Sequence, residues 1–281
     1  MSEDLSELTD RCVCFIDILG YSNRVIGKDD ETLNQFGNLI KHSIQETYDF
    51  IDTKKLLSDV TIVGFTDCFV IIGNHPLSSD TIYRSVMPVI DAAGYFQRTL
   101  LLKYKVMVRG AISFGKMWKN DSVLFGPLFV SLNKLEKENS LYPRIIIDKK
   151  LMNYMNEHRK PNDVLGFSLN VGLLNDDDDF YFVSYIAGMI RGETYEERSF
   201  ELIKKHHDVI LDLLNDHFNI EPDKNNDKEF EKWEKILDKL RWVVEYHNRY
   251  CRSNEYRIIE DRFKLYFLQN KLTVTFTFYY P

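Results

Sequence analysis

A chain of 281 residues with 44% hydrophobic and 14% aromatic side chains has material for one large core, or for a core with an appended layer. Its formal charge of −7 argues against a duplex nucleic-acid binder, which needs a basic face to displace counterions from phosphates, so any nucleotide it handles is expected to be small. The four cysteines, Cys12, Cys14, Cys68 and Cys251, lack the paired spacing of a zinc site and read as reduced thiols. No apolar run reaches the ~18 residues of a membrane span, and the opening MSEDLSELTD is acidic where a signal peptide is basic, so the expected location is the cytoplasm, with no membrane partner.

In chain order, RCVCFIDIL from Arg11 to Leu19 is a compact apolar and β-branched run ending at Gly20, which predicts a buried strand leaving into a turn. Asp29, Asp30 and Glu31 suit the positive end of a helix dipole. They open a helix whose apolar positions Leu33, Phe36, Ile40, Ile44, Tyr48 and Ile51 recur at helical spacing. Strands at Val60 to Phe65 and Cys68 to Ile72 are separated only by Thr66-Asp67 and predict a hairpin. A helix from about Ser79 to Leu102, a strand over VMVRGAIS, a short strand at Val123 to Phe125, a helix from Pro127 to about Ser140 and a strand over RIIID complete the first part. The order β-α-β-β-α-β fits a ferredoxin-like α+β core, an antiparallel sheet with helices on one face.

After Asp148 the pattern changes, and the chain is divided into a core at 1–150 and a C-terminal helical and strand extension at 151–281 packed on it. The extension is predicted to hold a short helix at Lys149 to Met155, a strand FYFVSYI from Phe180, helices over Tyr195 to Phe218 and Asp227 to Arg252, and a last strand KLTVTFTFYY. The acids Asp176 to Asp179 read as a solvated turn. His206 and His207, adjacent on a helix, do not face one metal.

The chemistry-bearing candidates are few. Asp17 stands inside an apolar strand, where a carboxylate has to be hydrogen-bonded, neutral or bound to a cation. Beyond it, Leu19-Gly20-Tyr21-Ser22 forms a turn whose backbone N–H groups can converge on an anion. Asp67 sits at the hairpin tip; it reads either as a turn residue or, if its strands neighbour the first, as the partner of Asp17 in holding Mg²⁺ or Mn²⁺. Arg109 lies among small and apolar residues and needs an acid or a phosphate. Lys134 and Glu136 fall within the helix that starts at Pro127; alone, Lys134 is a surface lysine.

Four segments in one order carry a resemblance to the class III nucleotide cyclases. FIDILGYS resembles their first metal-binding motif with its phosphate turn, and VGFTDCFVII resembles the second. VRGAISFGK resembles their Arg-x-Gly strand, with Arg109 and Gly115 matching and Ala111 in place of the middle Gly. FGPLFVSLNKLE resembles the segment leading into a helix that ends in Leu-Glu. The resemblance covers residues 12 to 148. It implies two metal ions, Mn²⁺ or Mg²⁺, at Asp17, Ile18 and Asp67, terminal phosphates held by Leu19, Gly20, Tyr21 and Ser22, and Arg109 on the triphosphate. It also implies a homodimer with composite sites, in which Lys134 stands at the position of the transition-state arginine.

Two departures from the family pattern narrow the substrate. Val130 stands where the family has its transition-state Asn, and the two purine-reading positions fall on Val63 and Val123, with Phe65, Phe125 and Phe129 as bulky neighbours. With Tyr142-Pro143-Arg144 and KLRWVVEYHNRY, this is similar to the Pycsar anti-phage cyclases, which implies UTP, or else CTP, as substrate and a separate effector protein as reader of the product. A degenerate nucleotide-binding module without turnover, or a cyclase making cyclic AMP or GMP, are the alternatives.

Overall fold

The computed structural model describes residues 8–53, 59–78, 82–119, 123–158, 173–176, 178–186, 195–220, 222, 226–251 and 256–258. Two compact units divide the chain, Met1–Ser199 and Phe200–Pro281. The strand expected over KLTVTFTFYY and the polar stretch 159–163 lie outside the described residues.

The first unit is built on one sheet. Strand β1 (Thr9–Ile18) is followed by a short helix α1 (Tyr21–Val25) and the long helix α2 (Asp30–Thr53). Then come the hairpin β2 (Val60–Phe65) and β3 (Cys68–Gly73), helix α3 (Ile82–Tyr104), β4 (Val108–Lys119), and β5 (Leu124–Phe125), which pairs with the end of β4. Helix α4 (Pro127–Asn139), β6 (Ile145–Ile147), α5 (Lys149–Glu157), β7 (Leu173–Asn175) and β8 (Tyr181–Val183) complete it. The spatial order is β2-β3-β1-β4-β6-β8-β7, and its first four strands with α2 and α3 form the ferredoxin-like β-α-β-β-α-β arrangement. Only the β4–β6 pair among the described strands is parallel. The sheet therefore runs on past residue 150 through the hairpin β7–β8.

The period-two alternation of β1 decides which residues form the core and which the site. Cys12, Cys14, Ile16 and Ile18 join Phe69, Ile71, Val108 and Ile112 in a core covered by α2, α3 and α5. On the other face, Phe15 and Asp17 lie beside Val70 and Cys68 of β3 and Ala111 and Arg109 of β4. Helices were expected on one face only. The structure adds α4 on the second face, where Leu128 packs over the Gly115 backbone and Glu136 meets Arg109. Leu128, Leu132 and Glu136 are the buried residues of α4, one stripe at a spacing of four.

The acids expected to form a solvated turn after β7 do structural work. Asp176 accepts from the buried Arg144 at 2.5 Å, and Asp178 pairs with the same guanidinium, which also lies against the rings of Tyr142 and Phe182. A fully buried arginine requires such pairing, and the Asp run supplies it. Asp177 is outside the described residues.

Helix α6 (Tyr195–Phe218), which belongs to the second unit from Phe200 on, and helix α7 (Asp227–Tyr250) follow the bounds the periodicity predicted to within two residues. Asn226 caps α7 by accepting from the Glu229 N–H, and Asp227 and Glu229 complement the helix dipole. Trp233, Leu237, Leu240 and Val244 form its buried stripe, and His217 stacks on Trp233 at a centroid distance of 4.4 Å. Of the adjacent histidines, His206 is fully buried and meets His247 at 3.0 Å between Nδ1 atoms. With the Tyr256 carbonyl accepting from His247 Nε2–H at 2.7 Å, His247 Nδ1 can accept from His206, and burial lowers both imidazoles below their ordinary value, favouring the neutral forms.

Candidate active site

The register of three strands assembles the site. Asp17 is directly opposite Arg109 across β1–β4 and directly opposite Cys68 across β1–β3. Asp67 follows at the hairpin tip, its carbonyl accepting from the Ile18 N–H at 2.9 Å, which pins the tip to the end of β1. Thr66 precedes it with a φ of 53°, a strained conformation for a β-branched residue, and its hydroxyl donates to Asp67 Oδ1 at 2.8 Å. Gly110 makes the close strand contact possible, since a Cβ there would stand 2.3 Å from the Phe15 carbonyl oxygen.

Arg109 Nε lies 3.3 Å from Asp17 Oδ2 and 2.5 Å from Glu136 Oε1. Asp17 and Arg109 are about one-fifth exposed and Glu136 is buried. Burial pushes the Asp17 carboxyl above its ordinary value, against the opposing pull of Arg109, and the nearby Asp67 raises it further. Burial likewise raises Glu136, again opposed by Arg109. At Asp67 desolvation also acts upward, but hydrogen bonds from the Thr66 hydroxyl, its own backbone and Cys68 outweigh it, and its carboxyl falls below the usual value. Burial and the two aspartates push the Cys68 thiol up to about 12. The two aspartates are thus held in different electrostatic states at one site.

A cation fits this donor set. Asp17, Asp67 and Cys68 offer ligand atoms that all lie within 4.8 Å of one another. Ile18 is 2% exposed, with its side chain in the core, and takes no part through that side chain.

The turn residues behave differently from one another. The Leu19 N–H donates to the Met107 carbonyl at 3.0 Å and is not directed at an anion. Gly20, in the left-handed region at φ 75°, precedes α1, Tyr21 packs towards Phe36, and Ser22 is exposed. Val63 and Phe65 lie on the same sheet face as Cys68, by the pairs Val63–Val70 and Phe65–Cys68, and Phe65 is 52% exposed. Val123, Phe125 and Val130 are exposed as well.

Lys134 is not brought to Asp17. Its side chain is 71% exposed and lies 4.0 Å from Glu138, because two positions along a helix from Glu136 amount to a rotation of about 200°. Two members of the cluster were absent from the sequence-derived site. Glu136 was legible as a carboxylate in the third place of the Leu128, Leu132, Glu136 stripe, whereas Cys68 gave no signal until its pairing with Asp17 was known.

No family model matches the sequence, and no curated protein matches it. Among solved structures, the adenylyl cyclase CyaB from P. aeruginosa is similar at 14% identity and a TM-score of 0.40, covering 63% of this chain and 95% of that one. The guanylyl cyclase Cya2 aligns at 13% identity and a TM-score of 0.41, over 68% of this chain and 96% of its own. The guanylate cyclase domain of RhGC from Catenaria anguillulae, solved with GTP, aligns at 14% identity and a TM-score of 0.39, over 63% and 96%.

Proposed function

We propose that this chain is a metal-dependent nucleotide cyclase that converts a nucleoside triphosphate, UTP in preference to CTP, into the 3′,5′-cyclic mononucleotide and pyrophosphate. The observation that carries the reading is the convergence of Asp17 and Asp67 from adjacent strands beside Arg109, at the strand ends that open into the Gly20 turn. Divalent ions held by Asp17 and Asp67, when bound, would neutralise charge on the α-phosphate and favour attack by the ribose 3′-hydroxyl. Arg109 contributes donors for phosphate oxygens, and the backbone of Gly20 to Ser22 offers a place for the terminal phosphates. The element order is the one the class III resemblance implies.

The pyrimidine preference is supported by Val63 and Phe65, which present apolar side chains on the face that holds Asp17. A purine edge without partners loses about 1–3 kcal/mol per polar group, and ATP and GTP become poor substrates. A homodimer with composite sites is supported by the position of Lys134 and Val130, both exposed on α4 and available to a second copy. In this reading the product is a second messenger in anti-phage defence, sensed by a separate effector protein.

A second reading, a nucleotide-binding module without turnover, is favoured by the engagement of Arg109 with Glu136 of its own chain. One experiment separates the two and fixes the substrate. The purified protein is supplied with each of the four ribonucleoside triphosphates and Mn²⁺, and pyrophosphate and the cyclic products are measured by mass. Cyclic UMP supports the proposal as stated; cyclic AMP or GMP as the main product removes the pyrimidine preference, and binding without pyrophosphate release leaves the module.

A further inference from the structure

We propose that the cleft between α1, the first half of α2 and the end of α3 binds a small aromatic phosphate, with Arg24 holding the anion and Phe36, Leu39 and Tyr104 flanking the ring. None of these residues lies on the sheet face that carries Asp17 and Arg109, so the site is separate from the one read above as a cyclase centre. The cleft measures about 700 Å³, within the range of small-molecule sites. One wall follows from the helical period of α2, on which Thr32, Gln35, Leu39 and His42, three and four residues apart, share a face. Phe36, Leu39 and Tyr104 also pack against the hydrophobic core, which holds this apolar part of the cleft in place. Arg24, in the last turn of α1, faces it.

Charge points to an anion. The chain carries 43 acidic against 36 basic residues, yet among the described residues the lining holds Arg24, Lys28 and His42 and neither an aspartate nor a glutamate. Arg24 is partly buried, and its Nη2 donates to the Lys105 carbonyl at 3.1 Å; among the described residues no carboxylate pairs with it. Burial pulls this guanidinium below its ordinary value with no neighbouring acid to oppose the shift. A cation taken partly out of water without a counter-charge is destabilising, and an anion in the cleft offsets that cost. With one nitrogen directed at the backbone, the rest of the Arg24 fork can meet two phosphate oxygens, and the exposed Lys28 adds a second positive charge. The apolar part of the lining favours a phosphate joined to a flat ring over the bare ion. The competing role for Arg24 is to tie α1 to the turn before β4, with the cleft holding solvent alone.

Phenyl phosphate titrated calorimetrically into the full-length chain without added metal separates these roles and does not depend on turnover. The parent should bind it, and should bind inorganic phosphate and phenol each at least about tenfold more weakly. Arg24→Gln should weaken phenyl phosphate by at least about tenfold, with unchanged circular dichroism. Asn38→Asp places a negative charge on the exposed α2 wall without touching Arg24, and should weaken binding as well, which keeps the test decisive if Arg24→Gln does not fold. Parental affinity in both variants puts the anion elsewhere, such as at Arg109, and overturns the cleft while leaving the cyclase reading untouched. Inorganic phosphate bound as tightly as phenyl phosphate overturns the aromatic part of the ligand. Absence of phenyl phosphate binding by the parent leaves Arg24 as a structural tie and overturns the proposal.

Discussion

Replacing Arg109 with Met keeps the length and apolar bulk of the side chain and removes its charge from between Asp17 and Glu136. Removing one partner of a buried ion pair costs about 3–5 kcal/mol. Arg109 and Asp17 are 23% and 20% exposed while Glu136 is 1% exposed, so solvent relieves part of that cost. A loss of about 3 kcal/mol follows, which at roughly 2–4 °C per kcal/mol lowers the melting temperature by about 6–12 °C. The pH dependence carries the sharper test. Burial already raises both carboxyl groups, and Arg109 is what opposes it, so without the guanidinium both rise further. A carboxyl that binds its proton more tightly folded than unfolded stabilises the fold on acidification, and that contribution disappears as pH rises through the folded value. The deficit of the variant should therefore be larger at neutral pH and shrink on acidification. Urea unfolding followed by circular dichroism at neutral and at acidic pH measures it. A variant as stable as the parent at the higher pH, or a deficit that does not shrink on acidification, refutes the assignment of Arg109 as the charge partner of two buried carboxyls.

Asp17→Asn and Asp67→Asn should each lower turnover by about 10² or more with unchanged circular dichroism; near-parental activity in either variant ends the metal assignment. Mixing Asp17→Asn chains with Lys134→Ala chains should restore activity, because one of the two interface sites then carries neither change, whereas demonstrated subunit exchange without recovery rejects composite sites. In the second unit, burial lowers His206 and His247 and brings His217 down from 6.5 to about 4. For a histidine held neutral in the fold, the unfolded chain binds the proton more tightly, so stability falls as pH drops below about 6.5 and continues falling to the folded value. Thermal melts between about pH 7 and about pH 4.5 should show this loss, and His217→Phe, which keeps the stacking on Trp233, should reduce its slope.

The helices α2, α6 and α7 were legible because their apolar positions repeat over several turns, and the β2–β3 hairpin because Thr66-Asp67 interrupts two apolar runs. The short helix α1 and the three-residue strand β7 were not, since neither is long enough to show a period. Asp17, Asp67 and Arg109 stood out as charges within apolar strands. Their assembly required the pairings of β1 with β3 and β4, which periodicity within one strand does not contain. The roles of Asp176 and Asp178 were missed for a related reason, because their partner Arg144 is distant in sequence and its burial is a tertiary property. Lys134 was placed by alignment to a motif, and the helical rotation that directs it away from Asp17 becomes visible only once Glu136 is seen to face the sheet.

The pairing of Gly110 with Ile16 places the β4 backbone where no side chain fits against the neighbouring Phe15 carbonyl. That contact acts as a register mark, which makes the site unequally tolerant of changes in chain length. A single residue inserted between Val13 and Asp17 would turn the carboxylate towards the core, or shift every pair that aligns it with Cys68 and Arg109. An insertion among the exposed residues Gly27 to Asp29, between α1 and α2, leaves those pairs alone. Chains built on this plan can therefore vary in such exposed connections, while the distance from the Gly20 turn back to Asp17, and the count from Asp17 to its partners across the sheet, stay fixed.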